Sequence, residues 1–292
     1  MNINWLSYCK FYLIISLFFI ISGLVGVFLW GLPLGIDFKG GVIAEYKFES
    51  SVKTDFLIVE LSNKGVSVSA IQPADDGNYI FKIASSDNEL KDSLDKYLKE
   101  IYPDLNFEQL RFESVGPSIG PEMIRKTFYA VLISSIAILL WVAYQFRNFR
   151  YGLSAIIAML HDTFILVSSF AFFGRFWSAT VDFLFVTAVL TTLSFSVHDT
   201  IVVFDRIREL KAKAIGDISE VANLAINQTM VRSLNNSFTI IFMLFALILF
   251  GGSSVFWFAI ALLVGTIAGT YSSPFVAVPV LVYLTKLKEK KF

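Results

Sequence analysis

Six stretches of this chain are apolar for long enough to cross a bilayer, which restricts the fold more than any motif does. A helix rises about 1.5 Å per residue, so about twenty apolar residues span the hydrocarbon. The stretches are Phe11–Trp30, Thr127–Phe146, Tyr151–Phe173, Val181–Phe204, a shorter one near Leu234–Phe250, and Val255–Leu284. Unpaired backbone groups are too costly in hydrocarbon for anything but helices or a closed barrel, and segments of this length read as helices. The first stretch is long for a signal-peptide core and no A-x-A-like cleavage site follows it, so it reads as a retained span. Pro274 and Pro279 fall late in the sixth, where a kink is tolerated if neighbours satisfy the freed carbonyls.

Charge is scarce and unevenly placed. Charged residues make up 16% of the 292, hydrophobic ones 55%, and mean hydropathy is +0.66. Soluble domains carry about 25% charge. The net charge of zero sums unequal parts: Asp37 to Glu122 holds sixteen acids against nine lysines and arginines. Elsewhere the cations gather in short connections, which points to a membrane with two distinguishable sides and away from nucleic acid. One side holds Lys10, Arg147, Arg150, Arg206, Arg208, Lys211, Lys213, Arg232, Lys286, Lys288, Lys290 and Lys291. The short loops of the other hold only Arg175, with Arg125 and Lys126 flanking the second span. The positive-inside rule therefore expects both termini in the cytoplasm. A single cysteine, Cys9, offers no internal disulfide, and two histidines alone do not close a zinc site, so no metal or cofactor is expected.

The stretch between the first two spans, expected outside the cytoplasm, carries the one soluble domain, from about Gly41 to Val115. Strands are expected at Val42–Glu49, Val66–Gln72, Asn78–Ala84 and Phe107–Val115, with helices at Thr54–Asn63 and Asp87–Ile101, the latter stopped by Pro103. The order β-α-β-β-α-β is that of a ferredoxin-like sandwich. The domain shows no nucleophile–base pair, phosphate loop or metal spacing, so a binding or levering role is expected there and an enzyme is not. The expected architecture is thus an all-α membrane bundle of six transmembrane helices with a small α+β ferredoxin-like extracytoplasmic domain between helices one and two. By residue, 1–34 hold the N-terminus and first span, 35–122 the domain, and 123–292 the other five spans with their cytoplasmic loops and tail.

Four strings stand out from this background. Gly35-Ile36-Asp37-Phe38-Lys39-Gly40-Gly41 suits a tight turn leading out of the membrane. Val115-Gly116-Pro117-Ser118-Ile119-Gly120-Pro121 reads as a rigid hinge back into it. The third runs from Ser196-Val197-His198-Asp199-Thr200 to Asp205-Arg206-Ile207-Arg208-Glu209. Its charged end is expected to be solvated or paired within itself. Asp199 lies about six residues, roughly 9 Å, deeper. A charged Asp at a helix centre costs on the order of 3 kcal/mol, so it faces a polar cavity, pairs with a cation or stays protonated. Each case makes it a candidate proton carrier, with neighbouring His198 as a second titratable group. Asp162, in Leu160-His161-Asp162-Thr163 one span earlier, also lies at membrane depth, as a proton site or an interhelical hydrogen bond. The fourth string, Asn227 to Ser237, is polar, and its one charge, Arg232, either flanks the membrane or reaches Asp199.

In this order and around six spans, the strings GIDFKGG, VGPSIG, HDTIVVFDRIRE and NQT-x-x-R closely resemble those of the SecF family of bacterial protein-export membrane subunits. The resemblance implies a fold similar to that of the resistance–nodulation–division transporters. It also implies a SecD-like hetero-partner, the Sec channel, preproteins as cargo, and protons crossing the inner membrane as the energy source. An Asp of span four and an Arg just before span five serve proton conduction in that family; the matching positions are Asp199 and Arg232. Gly35, Asp37, Gly40, Gly41, Gly116, Pro117, Gly120, Asp205 and Arg206 fall in the family's other motif positions, where a structural or coupling role is implied. The chain departs from the family string G-Y-S-x-N-D-T by having His198 in place of the Asn. A proton-coupled exporter subunit of the same superfamily, for small molecules or lipids, is the alternative. A domain of about 75 residues is too small to enclose such cargo alone.

Overall fold

The computed structural model describes residues 3–74, 77–84, 90–116, 119–213 and 216–289. The chain forms two compact units: Met1–Pro33 with Ala130–Gly251 and Val255–Phe292, and Leu34–Tyr129 with Gly252–Ser254.

Helices dominate the first unit. A 3₁₀ turn, Trp5–Tyr8, leads into α1 (Cys9–Trp30), and α5 (Ile119–Gln145), α6 (Phe149–Trp177), α7 (Phe183–Ala212) and α8 (Ile218–Phe250) follow the intervening domain. The last span is broken into α9 (Ser253–Ser272), a π turn (Ser273–Ala277) and α10 (Val278–Glu289). Six of these segments are long and apolar enough to cross a membrane. Side-chain caps start three of them: Asn148 Oδ1 accepts from Arg150 N at 3.1 Å, Asp182 Oδ1 from Phe185 N at 2.8 Å, and Asp217 Oδ1 from Ile218 N at 2.7 Å.

α6 and α7 form the buried centre, and small residues let neighbours close on them. A Cβ on Gly265 would sit 2.2 Å from Thr192 Oγ1, and one on Gly269 3.2 Å from the Ser196 Cα. The last span is thereby drawn against the stretch of α7 that carries Ser196 and Asp199. Where Pro274 breaks the last span, the expected kink takes the form of a π turn, a wide turn with one extra residue. The fifth span starts well before Leu234: α8 is continuous from Ile218. Its apolar stripe of Ile218, Val221, Ala222, Ala225 and Ile226 is buried at helical spacing while the polar residues between face out, which hides the helix from a hydropathy reading.

The second unit is a ferredoxin-like sandwich. Its elements are α2 (Ile36–Lys39), β1 (Gly41–Phe48), α3 (Thr54–Asn63), β2 (Val68–Pro73), β3 (Asn78–Ile83), α4 (Leu90–Ile101) and β4 (Phe107–Val115). The sheet runs β2-β3-β1-β4 with every pair antiparallel. Tyr46, Phe48, Phe81 and Ile83 of the sheet pack with Leu57, Leu61, Leu94 and Leu98 of the helices, all nearly or wholly buried. The buried Tyr46 hydroxyl donates to Asp95 Oδ1 at 2.6 Å and accepts from Gln109 Nε2 at 3.1 Å. Burial, reinforced by the Asp95 bond, holds this phenol far above its ordinary pKa. The expected helix start at Asp87 lies outside the described residues, and β2 starts at Val68 rather than Val66.

The tight turn expected at Gly35–Gly41 takes the form of a single helical turn, α2. Phe38 N and Lys39 N both donate to Gly35 O at 3.1 Å, and Gly40 N to Ile36 O at 2.8 Å. Gly40 and Gly41 then take φ of 79° and 136°, and a Cβ on Gly41 would meet Ile83 O at 2.4 Å. The second glycine string packs on the same turn: a Cβ on Gly120, in the first turn of α5, would lie 2.1 Å from Phe38 O. Backbone-to-backbone contact at two points therefore explains both strings. Gly41→Val should destabilise this unit by about 1–3 kcal/mol through strain, besides the clash with β3. Trypsin cleavage within residues 41–115 of the full chain should begin at a lower temperature than in the parent.

Candidate functional site

Polar side chains buried in the membrane bundle collect around two carboxylates. Asp162, midway along α6, is fully buried. Its Oδ2 accepts from Ser196 Oγ of α7 at 2.5 Å and from Ser272 Oγ at the end of α9 at 2.6 Å. Its Oδ1 lies 2.9 Å from Nδ1 of the buried His161. Three segments thus meet on one carboxylate, and the interhelical hydrogen bond anticipated for Asp162 is present twice over.

Asp199, one turn beyond Ser196 on α7, is 8% exposed, and its Oδ2 accepts from Ser233 Oγ of α8 at 2.7 Å. The adjoining Thr200 hydroxyl lies 3.0 Å from Ser273 Oγ, the first residue of the π turn. Ser272 and Ser273, consecutive in the chain, therefore serve one cluster each.

The structure does not bring Arg232 to Asp199. Successive helical residues point about 100° apart, so with Ser233 facing α7, Arg232 faces outward. It is exposed and makes no hydrogen bond or ion pair among the described residues. His198 is exposed too, and no hydrogen bond joins it to the carboxylate beside it in sequence among the described residues. Ser233 is the contact that sequence reasoning missed. It is the residue after the Arg that the motif highlighted, and its burial stripe with Thr229 and Ser237 along α8 was the available signal.

At the charged end of α7 the side chains pair within one turn. Arg208 bonds Asp205 at 2.6 Å, and Arg206 bonds Glu209. Arg206 Nε also donates to Gln228 Oε1 at 2.6 Å, tying this string to the fourth. Asn227, its neighbour, grips the start of the chain: its Oδ1 accepts from Trp5 Nε1 at 3.0 Å and its Nδ2 donates to Ile3 O at 2.8 Å. Arg206 thus fastens α7 to α8 outside the carboxylate clusters, while Asp205 pairs within α7. Gly35, Asp37, Gly40, Gly41 and Gly120 belong to the second unit, and Asp37 lies in the field of Arg111. Gly116 precedes α5 as part of the same unit, and Pro117 lies outside the described residues. Among the described residues no cluster of His, Cys, Asp and Glu fits a metal ion.

Residues 93–287 match the family model for the protein export membrane protein SecD/SecF C-terminal region, and residues 31–52 that for the SecD/SecF GG motif. The protein translocase subunit SecF of Thermobaculum terrenum is 41% identical over 282 residues, covering 91% of this chain and 88% of that one. The protein translocase subunit SecDF of Bacillus subtilis is 31% identical over 92% of this chain, which spans only 36% of its length. The crystal structure of SecDF from Thermus thermophilus, a translocon-associated membrane protein, superposes with a TM-score of 0.84 at 29% identity. That match covers 98% of this chain and 39% of the solved one.

The hydroxyls on Asp162 give a direct prediction. Ser196→Ala or Ser272→Ala leaves one oxygen of a fully buried carboxylate with a donor fewer, at a cost of about 1–3 kcal/mol. Denaturant titration of the full chain in mixed micelles should register that loss for each, while Thr187→Ala, exposed at the start of α7, should leave the midpoint in place.

Proposed function

Because the chain belongs to the SecD/SecF family of protein-export membrane proteins, we propose that it is the SecF-type half of a machine that spends the proton gradient on moving preproteins. The relatives are named as translocase subunits rather than as enzymes, and six apolar helices make the chain a multi-pass membrane protein of the inner membrane. The observation that carries the proton reading is Asp199. It is nearly buried, at membrane depth, with the hydroxyls of Ser233 and Ser273 on its carboxylate and no cation bonded to it among the described residues. Such a carboxylate changes its hydration and partners when it changes charge, which a carrier requires. Asp162 supplies a second buried carboxylate one helix away and belongs to the same pathway.

Arg232 biases the charged form of Asp199. It faces outward in the state described here, and its long stem lets the guanidinium swing toward the carboxylate when α8 turns against α7. His198, Arg232, Asn235 and Asn236 all expose polar groups near the membrane-spanning part of α7 and α8. Lipid is a poor solvent for such groups, and a second bundle from a SecD-like partner covers them. The two SecDF chains support this, since the matched region takes up only 36% and 39% of their lengths and leaves room for such a bundle. The arginines and lysines of the short connections put both termini in the cytoplasm and the ferredoxin-like domain outside, where it grips emerging preprotein handed on by the Sec channel.

In inverted vesicles holding this chain, its partner and the channel, Asp199→Asn and Arg232→Met should each reduce gradient-stimulated preprotein export to the level seen without a gradient. His198→Asn, which restores the family residue, should retain it. Full stimulation in Asp199→Asn would sink the carrier role.

A further inference from the structure

The carrier reading leaves His161 without a task. Its imidazole is 7% exposed, and its two nitrogens are unequally served. Nδ1 sits 2.9 Å from Asp162 Oδ1, whereas Nε2 is buried with no hydrogen-bond partner among the described residues. Asp162 itself is fully supplied: two serine hydroxyls occupy Oδ2 and the ring occupies Oδ1. The open valence of the cluster is therefore a nitrogen lone pair. Left bare, that lone pair is an unsatisfied buried acceptor; protonated, the ring becomes a cation in contact with a carboxylate.

The surroundings can take both forms. On its own helix the ring faces Asp162. From α9 the Tyr271 ring stacks on it, centroids 6.2 Å apart and planes at 26°. The Tyr271 hydroxyl is turned to α1, donating to Tyr12 O at 2.8 Å and lying 3.3 Å from Ser16 Oγ. α7 offers the Ser196 hydroxyl, already on Asp162. No lysine or arginine bonds His161 or Asp162 among the described residues, so the pair neutralises itself. An aromatic face over an imidazolium adds a cation–π contact.

We propose that His161 and Asp162 form a second proton-binding site internal to this chain, the proton residing on Nε2 of His161 with Asp162 as its counter-charge. The N–H bond forms as an O–H bond of hydronium breaks, leaving water, and no bond of the chain is broken. The site is connected to Asp199 through the π turn. Ser272 holds Asp162, and the adjacent Ser273 bonds Thr200 beside Asp199. Ser272 ends α9 and Ser273 begins the π turn, so the two clusters are joined by adjacent residues and a shift of one backbone unit is felt by the other. Only this second half rests on the carrier reading of Asp199.

Two histidines in the whole chain make the test direct. With His198→Asn, nitrogen-15-labelled histidine in the full chain in lipid nanodiscs reports one ring, and its nitrogen shifts read tautomer and charge. At high pH the ring should be neutral with its proton on Nδ1; on acidification Nε2 should gain a proton. Asp162→Asn, which removes the counter-charge, should displace that midpoint. Should that variant not fold, Ser272→Ala, which keeps the carboxylate, should displace the midpoint in the same experiment. A ring that stays neutral throughout the pH range in which the chain remains folded overturns the site, as does a midpoint indifferent to either variant. Linkage is reciprocal, so Asp199→Asn should also displace the midpoint, and an unchanged one removes the connection through the π turn. The export assay on Asp199→Asn is read separately, so the carrier and the second site can fail independently.

Discussion

A carboxylate inside an apolar bundle has to be satisfied by the protein, because lipid offers it nothing. That requirement shapes the membrane part of this chain around Asp162. Its hydroxyl donors come from α7 and from the end of α9, and both can reach it only if the helices pack unusually close. Gly265 and Gly269 supply that closeness, since a methyl group on either would collide with Thr192 or Ser196. Removing the carboxylate would leave the hydroxyls without an acceptor, and widening the packing would leave the carboxylate without donors. The apolar core around Met159, Leu193 and Val197 encloses the arrangement but does not specify it.

Asp199 is held differently. Its carboxylate meets the hydroxyls of Ser233 and Ser273, and it has slightly more exposure than Asp162. Of two acids at similar depth, Asp162 is wholly buried and Asp199 keeps a little exposure beside two serine hydroxyls. The structure therefore tells the two acids apart by exposure, where residue type alone treats them alike.

What the sequence made legible follows from period and depth. Span number, the β-α-β-β-α-β order, and the limits of α3 and β4 all rest on local patterns of apolar residues, and these survive folding unchanged. The burial of Asp162 and Asp199 was readable for the same reason: distance along a helix is depth in a membrane. What was not readable depends on rotation about helix axes and on contacts distant in sequence. Ser233 in place of Arg232 is a difference of about 100° on α8. Ser272 meets Asp162 across 110 residues, and Gly120 meets Phe38 across the whole second unit. Glycine strings announced a backbone constraint without naming its partner.

The same rotational argument sets the limits of this chain as a machine. Asp162, Asp199, Ser196, Ser233 and Ser273 turn inward and are satisfied within the fold. His198, Arg232, Asn235 and Asn236 turn outward, where six helices leave them uncovered. If every polar group near Asp199 pointed inward, a charge change there would stay inside the chain and could move nothing beyond it. Because the outward set adjoins the inward set on the same turns of α7 and α8, a rotation that satisfies one disturbs the other. On the proposed reading, proton binding at Asp199 would be felt at the outward set through α8, the element that both sets share.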